Sequence, residues 1–231
     1  MVKGIIMAGG LGTRLNPITK IINKHLLPIF NKPLIYYPIS VLLLAGVKDI
    51  LIITKKKDYE NFKNLLNDGS HLGIKISYKF QKKPGGIPEG ILLSEDFIGK
   101  NKFIFALGDN IFFGEEFSKI LENIKDFKRG CILFTSKVND PKRFGILYKD
   151  KQNNLKKIIE KPSKPKTNLA VTGLYVYDHL AINYAKKLKK SKRQEKEITD
   201  LNNIYIRNKK SREIELGRSF TWLDAGTHDA F

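Results

Sequence analysis

VKGIIMAGGLGTRLNPITKIINKHLLP, residues Val2 to Pro28, sets a short apolar run before three glycines, a lone arginine and, further on, a lysine ahead of an apolar patch. The run KGIIMA, edged by glycine, carries the signal of a buried strand, and its neighbour PLIYYPISVLLLAGVKDILIIT reads as a helix stopped at Gly46 and a strand from Asp49 to Thr54. This is a β-α-β start. Further on, DYENFKNLLNDGS has helical spacing, IKISYKF alternates like a strand, and KFIFALGDN is an apolar run that ends in a polar turn. Strands alternating with helices predict a parallel sheet covered on both faces.

After Asp126 the pattern changes to closely spaced strands, CILFTSKV, FGILYK, LKKIIEK and AVTGLYVYD, a spacing that predicts antiparallel additions. Helical patterns return at Leu180 to Leu188 and Ile198 to Arg207, and a final short strand leads into FTWLDAGTHDAF. With 231 residues and no repeat, low-complexity linker or clean boundary, one α/β domain spanning 1–231 is expected.

Hydrophobic residues make up 42% of the chain, too many for a disordered one. The 42 Lys plus Arg against 23 Asp plus Glu leave +19, which favours anionic partners without choosing among phosphates, nucleic acid and a membrane surface. Much of the excess lies in TKKKD (Thr54–Asp58) and KKLKKSKRQEK (Lys186–Lys196), runs that read as solvated faces. A nucleic-acid binder would interleave aromatics with its basic clusters, and these runs hold almost none, so no nucleic acid is expected. The single Cys131, inside an apolar strand, excludes an intramolecular disulfide and fits a reducing cytoplasm. No apolar run approaches the length of a membrane span, so no membrane partner is expected either.

Glycines after a strand at a sheet's carboxyl edge let backbone N–H groups approach an anion. Two familiar phosphate motifs fail here: the third glycine of the dinucleotide fingerprint would fall on Leu15, and no Gly-Lys-Ser/Thr triplet follows Gly9 or Gly10. What remains is Gly9, Gly10 and Gly12 with Arg14 and Lys24. On these residues alone, a triphosphate cradle and a glycine-rich turn with two surface cations stay equally open.

GIIMAGGLGTRLNPIT and NKHLLPIFNKPLIYYPI closely resemble the signature of the sugar-1-phosphate nucleotidylyltransferase family, its thymidylyltransferase branch above all. The resemblance continues in order through LGDNIFFG (Leu107–Gly114), DPKRFGI (Asp140–Ile146), IIEKPSKPKTNLAVTGLYVYD (Ile158–Asp178), RQEKEIT (Arg193–Thr199) and WLDAGTHDAF (Trp222–Phe231), over essentially the whole chain. It implies a Rossmann-like three-layer α/β/α fold with a mixed, mainly parallel sheet and a small antiparallel sugar-binding elaboration. Residues 1–126 would be mainly nucleotide-binding and 127–231 mainly sugar-phosphate-binding. The implied reaction joins a nucleoside triphosphate, dTTP or UTP, to glucose-1-phosphate or a similar sugar-1-phosphate, and releases pyrophosphate.

A sugar phosphate is anionic near neutral pH, so its oxygen attacks the α-phosphorus without a protein base; positioning and charge neutralisation carry such a step. The resemblance implies a triphosphate site of Ala8, Gly9, Gly10, Gly12, Thr13, Arg14 and Lys24, with Gln81 and Gly86 reading the base. Asp109 and Asp224 would hold Mg²⁺, a hard cation suited to two carboxylates completed by phosphate oxygens and water. Lys161 and Arg193 would bind the sugar phosphate and act catalytically with Arg14 and Lys24, while Asn110, Gly145, Glu160, Thr172 and Tyr175 would line the hexose. Surface cations and a buried strand pair are the plain alternatives for the acceptor-side residues.

The chain departs from the family pattern at His25, usually Gln, at PGGIPEG, usually an Asp-Gly-Leu-Ala-Gln type of run, and at Ala225, commonly Thr. These positions leave dTTP against UTP open. A non-catalytic relative sensing nucleotide sugars would be expected to lose Arg14, Lys24, Asp109 or Asp224, and all four are present. The sequence stops at Phe231, ahead of the C-terminal helical segment of long members, so their tetramer and feedback site do not carry over, and only a homo-oligomer of some kind is expected.

Overall fold

The computed structural model describes residues 2–82, 85–115, 117–122, 124, 126–191 and 193–227. Lys83 and Pro84 of the base-loop stretch, Lys192 of the lysine-rich run and residues 228–231 of the terminal motif lie outside them. In chain order, β1 (Val2–Met7) is followed by a small ribbon of β2 (Pro28–Ile29) and β3 (Lys32–Pro33), then α1 (Tyr36–Leu44), β4 (Asp49–Thr54), α2 (Tyr59–Leu66) and β5 (Lys75–Phe80). Next come α3 (Ile87–Leu93), α4 (Glu95–Ile98), β6 (Lys102–Leu107), β7 (Asn110–Gly114) and α5 (Phe117–Glu122). The remainder is β8 (Cys131–Lys137), β9 (Gly145–Lys149), β10 (Leu155–Glu160), β11 (Leu169–Tyr177), α6 (Leu180–Lys187), α7 (Ile198–Arg207), β12 (Ser211–Glu215) and β13 (Phe220–Asp224).

β5, β4, β1 and β6 lie side by side in parallel, and β11 joins β6 antiparallel. β11 also pairs antiparallel with β8 and, at Ala170, with β9, which in turn carries β10. All of β11 is buried, as a strand with neighbours on both edges and cover on both faces requires. Successive side chains of a strand point to opposite faces, so Ile5 and Ile6, both fully buried, enter different cores. Ile6, Ile50, Ile52 and Ile104 pack with Ile39 and Leu42 of α1, Phe62 of α2 and Leu121 of α5. Ile5, Leu51, Ile53 and Phe105 pack with Ile91 of α3, Ala181 of α6 and Leu201 and Tyr205 of α7. The result is the expected three-layer α/β/α arrangement on a mixed sheet.

The structure adds three features to the sequence reading. The segment Ile87–Leu93, to which the sequence reading assigns no element, forms helix α3; its proline sits in the first turn, where no N–H is needed. β12 lies parallel to β8, whereas the other strand pairings made by the second half are antiparallel. Finally, β13 leaves the main sheet and pairs antiparallel with β7 in a separate ribbon.

Candidate active site

The carboxyl ends of the parallel strands are stitched together by backbone hydrogen bonds. Ala8 N donates to Ile53 O at 2.7 Å, Gly108 N to Met7 O at 3.0 Å and Gln81 N to Thr54 O at 2.9 Å. The loops leaving β1, β4, β5 and β6 therefore start from one fixed edge, the usual ligand edge of an open α/β sheet. The glycine loop is a real turn: Gly12 has φ +64, a conformation costly for a side-chain-bearing residue, and its carbonyl accepts from Leu15 N and Thr19 Oγ1, each at 2.8 Å. Thr13 and Arg14 project from it and are exposed, whereas Ala8 is fully buried with its N–H committed to Ile53.

Asn23 organises the next segment. Its amide Nδ2 donates to Ala8 O at 3.2 Å and Asp58 Oδ2 at 2.8 Å, while Oδ1 accepts from His25 N at 3.0 Å and faces His25 Nδ1 at 2.7 Å. Because Oδ1 only accepts, the proton of the neutral imidazole belongs on Nδ1. Burial first, and then the Lys24 ammonium, pull His25 down to about 3, so the ring is uncharged near neutral pH. This departure from the family pattern is thus a packed, hydrogen-bonded histidine. Asn23 was not singled out by sequence, since one polar residue in a loop carries no visible partner.

Lys24 forms an ion pair with Asp109. Burial pushes the Asp109 carboxyl up, but Lys24, the field of His25 and the Asn110 amide outweigh it and hold the group below the usual carboxylate range. The β7–β13 ribbon brings in the second aspartate: Asp224 lies opposite Asn110 in register, and Ala225 N donates to Asp109 O at 2.9 Å. Burial and the neighbouring Asp109 charge raise the Asp224 carboxyl, against the pull of Lys24, Arg14 and Arg143. Two adjacent, half-enclosed carboxylates suit a hard divalent cation, which favours one or two carboxylates plus substrate oxygens. Among the described residues no group of three or more His, Cys, Asp or Glu converges, so substrate and water would complete the shell.

A cleft of about 290 Å³ is lined by Gly10, Lys24, Gln81, Gly86, Asp109, Lys161 and Arg193. A second compartment of about 120 Å³, lined by Asn110, Gly145, Thr172, Tyr175 and Asp224, shares Glu160, Ile87, Leu107 and Ile198 with it as a common wall. Most of the expected residues therefore face two adjoining spaces, whereas Ala8, Gly9, Gly12, Thr13 and Arg14 line neither, the last two standing exposed on the glycine loop. Gly9 lies against Gln81, where an added Cβ would come within 2.8 Å of the amide oxygen.

Several acceptor-side groups are already engaged. Asn110 Oδ1 accepts from Gly173 N at 2.9 Å and Trp222 Nε1 at 2.6 Å, and its Nδ2 donates to Asp109 at 3.0 Å. Thr172 Oγ1 donates to Phe134 O at 3.0 Å. Glu160 accepts from Thr199 Oγ1 at 2.6 Å and lies 3.6 Å from Arg193, which also grips Glu197 with two nitrogens at 3.1 and 2.6 Å. Lys161 holds a left-handed φ of +43, a strained backbone that turns the chain sharply after β10.

Across residues 3–231 the chain matches the family model described as nucleotidyl transferase. The chain belongs to the nucleotidyl transferase family. A curated glucose-1-phosphate thymidylyltransferase of Neisseria meningitidis serogroup A is 48% identical over 228 residues, covering 99% of this chain and 79% of that protein. Its namesake from Mycolicibacterium smegmatis is 44% identical over 229 residues, with the same coverage of 99% and 79%. Among solved structures, one assigned to glucose-1-phosphate thymidylyltransferase from Bacillus anthracis, in complex with a sucrose, superposes with a TM-score of 0.92 at 40% identity, covering all of this chain and 92% of its own. UDP-glucose pyrophosphorylase complexed with UDP-glucose superposes at 0.87 with 25% identity, over all of this chain and 95% of its own.

In this nucleotidyl transferase three further side chains reach the site without having been assigned a role from sequence. Arg143 lies 3.7 Å from Asp224, Trp222 bridges to Asn110, and Glu89 accepts from Gln81 Nε2 at 3.1 Å. Arg143 stands inside a family motif and Trp222 within the same motif as Asp224, so the signal was present for both; Glu89 carries no such signal. Among the described residues, no helix is long and apolar enough to cross a membrane.

Proposed function

We propose that the protein transfers a thymidylyl group from dTTP to glucose-1-phosphate, giving dTDP-glucose and pyrophosphate, with Mg²⁺. The observation that carries this reading is the pair of adjoining compartments that share Ile87, Leu107, Glu160 and Ile198 as a wall, with Asp109 and Lys24 lining one and Asn110 and Asp224 lining the other. The names of the relatives supply the substrates; on this reading residues 1–126 would be the mainly nucleotide-binding and 127–231 the mainly sugar-phosphate-binding parts of one domain.

In this reading Gly9, Gly10 and Gly12 let backbone N–H groups approach the triphosphate, and Arg14 and Lys24 neutralise it. Ala8 and Thr13 shape the same loop, and Gln81 and Gly86 meet the base. Lys161 and Arg193 hold the acceptor phosphate, and Gly145, Glu160, Thr172, Tyr175 and the Asn110 amide enclose the hexose. Asp109 and Asp224 would hold Mg²⁺, which when bound polarises the phosphoryl oxygens and neutralises their charge. The acceptor phosphate oxygen forms a bond to the α-phosphorus, and the bond from that phosphorus to the bridging oxygen breaks, leaving its electron pair on pyrophosphate. No proton is removed from the attacking oxygen, so the uncharged His25 has none to take. Lys24 and Arg14 lower the barrier by offsetting charge where two anions meet.

The test mixes the protein with Mg²⁺, glucose-1-phosphate and each of dTTP, UTP, CTP, ATP and GTP, following pyrophosphate release and identifying the product by mass. Turnover with dTTP is the expected result, and turnover with UTP alone would replace dTTP as the donor. That second reading draws on the UDP-glucose-bound neighbour. Release with none, including with a panel of other hexose-1-phosphates, would overturn the assignment. Cytoplasmic nucleotides are the natural donors, so we assign the protein to that compartment; light scattering on the purified chain reads whether it forms the expected homo-oligomer.

A further inference from the structure

We propose that Glu89 is a positioning residue that fixes which way the Gln81 amide faces the base, and so favours an imide pyrimidine, thymine or uracil, over cytosine. The inference rests on Gln81 being the base-reading group of the proposed function. Gln81 leaves the end of β5 with its N–H held by Thr54 O at 2.9 Å and is 5% exposed, so its amide has few orientations to choose from. Glu89, on the first turn of α3, accepts from Gln81 Nε2 at 3.1 Å. An ionised carboxylate only accepts, so the nitrogen end of the amide is forced toward it. The oxygen end faces Gly9, at a spot where a side chain would crowd it.

The carboxylate itself is held in place by the loop before it. A side chain on Gly85 would overlap the Glu89 carboxylate, and Gly85 O accepts from Lys196 N at 3.0 Å, which pins that loop against the acceptor-side segment. Gly85, Glu89 and Gln81 thus form one unit, and all three lie in the stretch where the chain leaves its family's usual pattern or borders it.

The chemistry follows from the two base edges. Thymine and uracil present an N–H donor beside a carbonyl acceptor; Gln81 Oε1 takes the first, and the second N–H of Nε2 reaches the other. Cytosine presents the reverse order, a ring-nitrogen acceptor beside an amino donor. Reading it requires the amide turned over, and that would set Oε1 against the Glu89 carboxylate, acceptor facing acceptor. A site whose buried polar groups are left unpaired rejects the wrong partner strongly.

The experiment titrates dTTP and dCTP into the wild-type protein and into Glu89→Gln and Glu89→Ala, and measures dTDP-glucose formation alongside. The wild-type chain should bind dTTP over dCTP. Both variants should lose about tenfold of that preference, because a glutamine there accepts either end of the Gln81 amide and an alanine neither. Damage to the fold alone would weaken both nucleotides together and leave their ratio in place. A ratio unchanged to within about twofold in both variants, or no preference in the wild-type chain, overturns the role of Glu89. Formation of dTDP-glucose with an unmoved ratio defeats only this inference; a shifted ratio with no sugar nucleotide made by the wild-type chain defeats only the proposed reaction.

Discussion

The two sides of the cleft are built differently. On the triphosphate side, Gly10, Gly12, Thr13 and Arg14 ride on a loop after a parallel strand, and the exposed Arg14 side chain has no part in either core. On the acceptor side, Asn110, Gly145, Glu160, Thr172 and Tyr175 stand on strands, and Asn110, Glu160 and Thr172 also hold elements together. Substitutions on the loop should therefore act on chemistry, and substitutions on the strands on chemistry and stability together. Lys24 stands between the two, a cation lining the cleft, proposed to meet the triphosphate, that is also the buried partner of Asp109.

The largest expected effect is at that boundary. Lys24→Ala should lower kcat/KM by about 10² to 10³, the scale of one lost charge-stabilising donor at a reacting centre. It should also lower the melting temperature, because the Asp109 charge is left enclosed without its partner. Steady-state kinetics with a thermal melt reads both, and a variant with near-normal rates would remove Lys24 from the site.

The contrast is sharper between Asn110→Ala and Arg14→Ala. Removing the Asn110 amide orphans Gly173 N and the Trp222 indole N–H, and should cost about 2–3 kcal/mol of stability. Arg14→Ala should stay within about 0.5 kcal/mol of the parent while raising KM for the triphosphate. Urea unfolding of the two variants measures the difference, and equal losses of stability would erase the distinction drawn between loop and strand.

A smaller effect appears in acid. The folded protein holds His25 at about 3 against 6.5 for the free side chain, so below pH 6.5 the unfolded chain binds a proton that the folded chain refuses. Stability should thus fall as pH drops from 6.5 toward 3, at up to about 1.4 kcal/mol per pH unit from this group, and the contribution vanishes above 6.5. Subtracting the pH profile of His25→Gln isolates it. A difference profile that is flat between pH 6.5 and 4 would mean that the ring accepts a proton in the folded state.

Much of this layout was legible in the sequence, and unevenly so. The β-α-β start was readable because its apolar runs are long, differ in period and are separated by Gly46. The second half could be read as closely spaced strands, but pairing partners leave no mark in a single chain, so the parallel seat of β12 and the ribbon of β7 with β13 came only with the structure. The triphosphate loop was marked by glycines and cations that have few other reasons to cluster. Asn23 and Glu89 left no such mark, since each acts through one neighbour distant in the chain, and Pro88 and Gly90 hid the helix on which Glu89 sits.

The β7–β13 ribbon carries a consequence for how the protein comes into being. Asp109 and Asp224 meet only when Phe220–Asp224 zips onto Asn110–Gly114, a contact between segments more than a hundred residues apart. Contacts of such long sequence separation are slow to close and form late. During synthesis, the parallel strands and glycine loop leave the ribosome well before the second carboxylate exists. A growing chain would hold the glycine loop without the acidic pair, and competence would arrive abruptly, with β13.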